Sequence, residues 1–217
     1  MNLVAGRFFI ARHGETVFNA ARRMQGDAAH TPLTRAGFAQ ADAMGAALRA
    51  RLGARPALTL WASPTGRALQ TLAVIAEHLD LDWHRAATDA RLGEMGMGEW
   101  GGRLYGEILA EVGTFFDPAT GLFTRRAPRG EWYDDVALRL LTWLGDTAGM
   151  GGDRLIVMHG LSSRVLRGLL LGLEPDARYR APVAPGLPQG AMVCIEDGVE
   201  TLLPVGAEDK KGGGGTY

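Results

Sequence analysis

Two short apolar runs, Phe8-Phe9-Ile10-Ala11 and Leu155-Ile156-Val157-Met158, each lead into a His-Gly pair, His13-Gly14 and His159-Gly160. Unbroken apolar runs of this length, bounded by polar or glycine residues, predict buried strands. The first is expected over Arg7–Ala11 and the later one over Leu155–Met158. Leu58–Ala62 predicts a further strand, Leu81–Ala86 another, and Met192–Leu203 a closing hairpin that turns at Glu196-Asp197-Gly198. Between them the pattern changes to helical spacing. Thr34 is placed to cap a helix reaching Leu52, with Phe38, Ala41, Met44, Ala47 and Leu48 on one face. Ser63-Pro64 predicts the next helix start, serine as N-cap and proline at the first helical position, with Leu69, Leu72, Val74, Ile75 and Leu79 following. Glu131–Thr147 predicts an amphipathic helix with Val136, Leu140, Leu141 and Leu144 inward, and Ser162–Leu171 another helix.

Strands alternating with helices predict an α/β fold, a three-layer α/β/α sandwich around a mostly parallel sheet. In such sheets ligands bind beyond the carboxyl ends of the strands. His13, Ser63 and His159 all fall there. Residues 96–130 are rich in Gly, Phe and Arg, show no clear period, and are expected to form a small cap over that edge. Residues 1–205 are then one catalytic domain, and 206–217, with Lys210-Lys211 and four successive glycines, a flexible tail.

Composition narrows the chemistry mainly by exclusion. A net charge of −1 over 217 residues gives no bulk attraction to nucleic acid or an anionic membrane. No apolar stretch is long enough to span a bilayer, and the N-terminal run is too short for a secretory signal, so a cytoplasmic location is expected. Cys194 is the sole cysteine, which rules out an internal disulfide and a cysteine-based metal cluster. Apart from Lys210 and Lys211, every basic residue is arginine, whose planar fork suits phosphate and carboxylate. A compositional bias explains most of them; the informative ones stand beside the histidines. The two His-Gly pairs can place two imidazoles at the ends of two buried strands, beside Arg12, and a neutral histidine ringed by fixed cations is a nucleophile suited to phosphate.

Five blocks in order carry a resemblance. They are Arg12-His13-Gly14-Glu15-Thr16 with Asn19; Gln25-Gly26 and Pro32-Leu33-Thr34 with Gly37 and Gln40-Ala41; Ser63-Pro64 with Arg67-Ala68 and Gln70-Thr71; Leu92, Glu94, Gly98, Trp100 and Gly102; and His159-Gly160 with Arg164. Over about residues 7–173 the chain resembles the histidine phosphatase superfamily in its phosphoglycerate-mutase-like branch, particularly the broad-specificity phosphatases. The resemblance implies that His13 takes up the phosphoryl group and that Glu94 donates a proton to the leaving group. Arg12, Arg67 and His159 would hold the phosphoryl oxygens, with Asn19, Gln25 and Gly160 as further substrate-binding positions. No metal and no cofactor are implied. The expected partner is a small soluble phosphate ester, not nucleic acid or membrane, with a homodimer left open.

The residues support that chemistry on their own terms. Phosphoryl transfer needs positioning and charge stabilisation, which arginines and a helix N-terminus supply. Neighbouring cations also disfavour the charged form of His13 and so keep its lone pair available. Other residues read as structural: Trp100 as packing, Glu15 as loop support, Glu131 as a helix start, and His78 and His84 as ordinary surface or helix-end groups. The chain departs from the family pattern at His30, where Asp is common, and at Gly101, where Glu is common. Three activities fit: a phosphomonoesterase, a phosphoglycerate-type mutase using the same phosphohistidine, or a noncatalytic phosphate binder. The missing Tyr- and Arg-rich insert between Glu94 and His159 favours the first. Arg125, Arg126 and Arg129 would either be solvated or reach over the pocket to a second anionic group.

Overall fold

The structure is a computed structural model describing residues 6–205. The expected tail at 206–217 lies outside the described residues. Six strands form one sheet: β1 (Phe8–Arg12), β2 (Leu58–Ala62), β3 (Ala87–Thr88), β4 (Asp153–Met158), β5 (Met192–Glu196) and β6 (Val199–Leu203), in the order β3-β2-β4-β1-β5-β6. β3, β2, β4 and β1 are parallel, and the β5–β6 hairpin adds two antiparallel pairings at one side.

Successive side chains of a strand point to opposite faces, and the core divides accordingly. Phe8, Ile10, Ile156, Met158 and Val193 belong to one hydrophobic cluster, with Val136, Leu140 and Trp143 from α5 (Tyr133–Thr147) and Val165 and Leu166 from α6 (Gly160–Leu170). Phe9, Ala11, Leu155, Val157 and Cys194 belong to the other, with Met44 and Leu48 from α2 (Arg35–Leu52) and Leu72 and Ile75 from α3 (Gly66–His78). Both faces of the central strands are therefore covered, and β1 and β4 carry continuous apolar runs, whereas β6 at the edge is mostly exposed. Among the described residues no helix is long and apolar enough to cross a membrane.

Several expectations are corrected. α3 begins at Gly66, with Thr65 as N-cap, because Ser63 is still tied to the sheet through its N–H to the Val157 carbonyl. The strand expected at Leu81–Ala86 is instead a 3₁₀ turn, Trp83–Arg85, started by the Asp82 carboxylate, and only Ala87–Thr88 pair with β2. Phe38 and Leu141 face solvent. The inward face of α5 runs through Tyr133, Val136, Ala137, Leu140, Trp143 and Leu144. The cap is not irregular throughout: it contains α4 (Tyr105–Val112). A short helix, α1 (Val17–Ala20), which the pattern did not suggest, follows β1. Gly96 and Glu131 hydrogen-bond to each other in both directions, so the cap leaves and rejoins the body at one point.

Candidate active site

β1 and β4 are neighbours, and Arg12 is in register with Met158. The residues just past their ends, His13 and His159, are therefore side by side, with ring centroids 5.1 Å apart and the rings edge to face. The His13 N–H donates to the Met158 carbonyl at 3.0 Å, which extends the parallel pairing up to the site. After β1 the chain continues to α2 on one face, and after β4 to α6 on the other. This divergence opens a crevice between two adjacent strands.

The hydrogen bonds fix both tautomers. His13 Nδ1 lies 2.7 Å from the Gly14 carbonyl, which can only accept, so Nδ1 carries the proton and Nε2 the lone pair. Arg67 Nε donates to His159 Nδ1 at 3.2 Å, so the His159 proton is on Nε2. That Nε2 is buried without a partner, as is Arg12 Nε. Both are donors waiting for an acceptor. Burial, then the charges of Arg67 and Arg12, holds the His13 pKa well below 6.5. Burial, then Arg67 and His13, does the same for His159. Both rings are neutral, so His159 meets the ligand as an N–H donor and not as a cation.

Arg12 donates from NH1 to the Leu187 carbonyl at 2.7 Å. Gly160 leaves it room, since a Cβ there would lie 3.3 Å from the guanidinium carbon. Arg67 is more committed than its sequence role implied. Besides His159, it donates to the carbonyls of Gly26 and Ala28 and to the Thr31 hydroxyl. Burial lowers its pKa to about 10. Of its five N–H groups one is left for a ligand.

Glu94 accepts three backbone N–H groups: Met95 at 2.9 Å, Leu161 at 3.0 Å and Ser162 at 2.9 Å. Two of these are free donors of the first turn of α6, so the carboxylate caps that helix. Asn19 Oδ1 accepts the Thr16 N–H at 3.1 Å, and the single Thr16 hydroxyl proton lies between Asn19 Oδ1 at 2.8 Å and Gln25 Oε1 at 2.5 Å, which ties both carboxamides to the loop after β1.

Arg12, His13, Asn19, Gln25, Glu94 and Gly160 all line one cleft of about 1070 Å³. Arg67 and His159, both fully buried, form its backing rather than its surface. Tyr105, Phe116, Leu122 and Phe123 from the cap roof the cleft, and residues 183–189 form a side wall. None of Arg125, Arg126 and Arg129 lines it. Arg125 donates to the Val112 carbonyl, Arg126 pairs with Asp135, and Arg129 pairs with Glu99. The cleft arginines beyond Arg12 are Arg23 and Arg164 instead. Arg164 lies four residues after Gly160 on α6, and helical spacing alone could have placed it on the same face. The 183–189 wall carried no such signal. It is held by Arg12, Arg164 and Arg167, which donate to the carbonyls of Leu187, Ala184 and Pro185. Among the described residues no three His, Cys, Asp or Glu side chains are grouped to hold a metal ion.

The chain is similar to known proteins over most of its length. The family model described as the histidine phosphatase superfamily (branch 1) matches residues 8–195. The "Probable phosphoglycerate mutase GpmB" of Yersinia enterocolitica is 33% identical over 175 residues, covering 79% of this chain and 78% of that protein. A mycobacterial glucosyl-3-phosphoglycerate phosphatase, solved with VO3, is 28% identical and superposes with a TM-score of 0.72, covering 93% of this chain and 98% of the other. The alpha-ribazole phosphatase of Shigella flexneri shares the fold, with a TM-score of 0.70 at 21% identity over 94% of this chain and 100% of its own.

Proposed function

The chain belongs to branch 1 of the histidine phosphatase superfamily, and from that footing we propose that it is a phosphomonoesterase acting on a small soluble phosphate ester. The observation that carries this reading is the His13 tautomer. Its Nε2 lone pair is held free by the Nδ1–H bond to Gly14, on the floor of a cleft whose unpartnered donors await an acceptor.

In the first step His13 Nε2 attacks phosphorus, the P–Nε2 bond forms and the ester P–O bond breaks. The leaving oxygen takes a proton from Glu94. The ring gains positive character, which the Gly14 carbonyl stabilises through Nδ1–H. Arg12 Nε–H, His159 Nε2–H and the amides of Asn19 and Gln25 receive the equatorial oxygens, where charge accumulates. In the second step Glu94 takes a proton from water, the water oxygen attacks phosphorus, the P–Nε2 bond breaks, and phosphate leaves. The arginines supply the positive charge, so activity is expected to survive EDTA, and vanadate is expected to inhibit.

The similarity to the Yersinia probable phosphoglycerate mutase favours a second reading, in which the phosphoryl group returns to a phosphoglycerate. The short cap and a cleft open to solvent favour water as acceptor, because a mutase must exclude it. Incubation with 3-phosphoglycerate separates the two: free phosphate supports hydrolysis, and accumulation of 2-phosphoglycerate without phosphate release supports the mutase. The proton role of Glu94 is tested with Glu94→Gln. Alkyl phosphates should lose about 10²–10⁴-fold in kcat/KM and p-nitrophenyl phosphate far less, since a good leaving group scarcely needs a proton. Equal losses would remove Glu94 from that role.

A further inference from the structure

Glu94 stands on backbone with no ladder of its own, between the 3₁₀ turns Ala90–Leu92 and Gly98–Trp100. A side chain on such a segment is only as well aimed as the backbone beneath it. Here that backbone is gripped from α5. Arg139 donates to the carbonyls of Arg91, Gly93 (3.0 Å) and Glu94 itself (3.2 Å). The same guanidinium pairs with Glu131 through Nε at 3.0 Å and NH2 at 3.2 Å. Glu131 in turn accepts the Gly96 N–H at 2.7 Å. One ion pair thus holds carbonyls before Glu94, the carbonyl of Glu94, and the amide two residues after it. Glu131 lies outside α5, which starts at Tyr133, so it is not the helix start expected of it. Arg139 does not line the catalytic cleft; it lies on a second cavity of about 810 Å³ on the other side of Glu94.

We infer that the Arg139–Glu131 pair is a positioning device for the Glu94 carboxyl. The inference rests on the reading of Glu94 as proton donor. General acid catalysis requires the acid within hydrogen-bond reach of the leaving oxygen, and small displacements are costly. The α6 amides fix where the Glu94 oxygens sit, and Arg139 fixes where its main chain starts. The task needs a planar fork with several donors in fixed directions, which lysine lacks.

The test compares an alkyl phosphate with p-nitrophenyl phosphate in Arg139→Gln, Arg139→Lys, Glu131→Gln and, in parallel, Glu94→Gln. Arg139→Gln and Glu131→Gln should lose about tenfold or more in kcat/KM on the alkyl ester and less than about threefold on p-nitrophenyl phosphate. Phosphohistidine trapped from p-nitrophenyl phosphate should persist in both. Arg139→Lys keeps the charge that bears on His159 but not the fork, and should resemble Arg139→Gln. If Arg139→Gln does not fold, the near-isosteric Glu131→Gln carries the test. Equal losses on both esters in the clamp variants, or a lysine variant indistinguishable from wild type, overturn the inference. If Glu94→Gln still discriminates between the esters in that case, the proton-donor reading stands and the clamp alone falls. A Glu94→Gln variant with equal losses removes both.

Discussion

The floor and the roof of the cleft are built on different principles. The floor is backbone-defined: β1 and β4 are paired in register, and the His13 and Ser63 amides continue the sheet's hydrogen bonds past its edge. Its side chains are polar and are aimed by directional bonds, with Arg12 Nε and His159 Nε2 left without a partner. The roof turns a clustered set of aromatic side chains toward the cleft. Phe115 packs against Trp100 and Phe116, each at 5.1 Å, and stacks on Phe123 at 5.9 Å. The roof meets the body through Phe123 N–H to the Tyr133 hydroxyl, through Arg164 to the Thr120 carbonyl, and through main-chain bonds between residues 102–105 and 22–24. Directional bonds tolerate little displacement, whereas apolar packing accepts many shapes of similar volume. The difference separates two tasks: reaction chemistry below, and accommodation of the esterified group above.

The largest break in that contrast should come at the floor. His13→Ala should abolish turnover, by at least about 10³-fold, because no second nucleophile shares its position. The wild-type protein should yield an acid-labile, base-stable phosphoryl adduct on His13. More than a few per cent of residual activity would remove His13 from the nucleophile's role.

Acid should weaken the floor next. Burial and neighbouring arginines depress both histidine pKa values, so the unfolded chain binds protons below 6.5 that the folded state refuses. Stability is fully present above pH 6.5 and is lost as pH falls below it toward the folded values. The limiting slope for each ring is about 1.4 kcal/mol per pH unit. Urea denaturation across this range should show that slope, and His13→Asn or His159→Asn should halve it. An unchanged slope in both variants would place the acid sensitivity elsewhere.

A pair of glycines sharpens the comparison. Gly160→Ala presses on the Arg12 guanidinium and should lower kcat/KM about tenfold with the fold intact, as expected for a displaced catalytic group. Gly106 in α4 has nothing within 4 Å of a new Cβ. Gly106→Ala should leave kinetics alone and raise stability by about 0.4–1 kcal/mol. Equal kinetic effects from the two would erase the distinction between floor and roof. Smallest of all, Arg125→Ala, Arg126→Ala and Arg129→Ala should each change kcat/KM by less than about twofold, since their partners are surface carboxylates and a carbonyl. A raised KM confined to doubly anionic esters would return one of them to the cleft.

How much was legible in the sequence follows the same line. The floor was readable because an apolar run followed by His-Gly specifies a buried strand and what projects from its end. Local signals misled where a longer-range bond won. Ser63-Pro64 has the composition of a helix start, yet Ser63 remains bonded to Val157, and the helix waits for Gly66. Leu81–Ala86 has strand-like residues, yet the Asp82 carboxylate turns the chain first. On α5 the spacing predicts Leu141 inward, but it is exposed, and Tyr133 and Trp143 fill that face. The wall at 183–189 and the grip of Arg139 on residues 91–94 were not readable. Each consists of arginines reaching carbonyls distant in sequence, and a carbonyl has no sequence signature.

The register between β1 and β4 has a consequence for how this chain can change length. Deleting or inserting one residue inside either strand would slide one imidazole past the other by about 3.3 Å and invert the facing of every side chain beyond the change. Such a change would exchange the two core clusters locally as well as misalign the histidines. The eleven residues Phe8–Arg12 and Asp153–Met158 therefore form a segment intolerant of indels, whatever substitutions they accept. Length variation is accommodated instead where the chain returns to its starting point, as it does between Gly96 and Glu131.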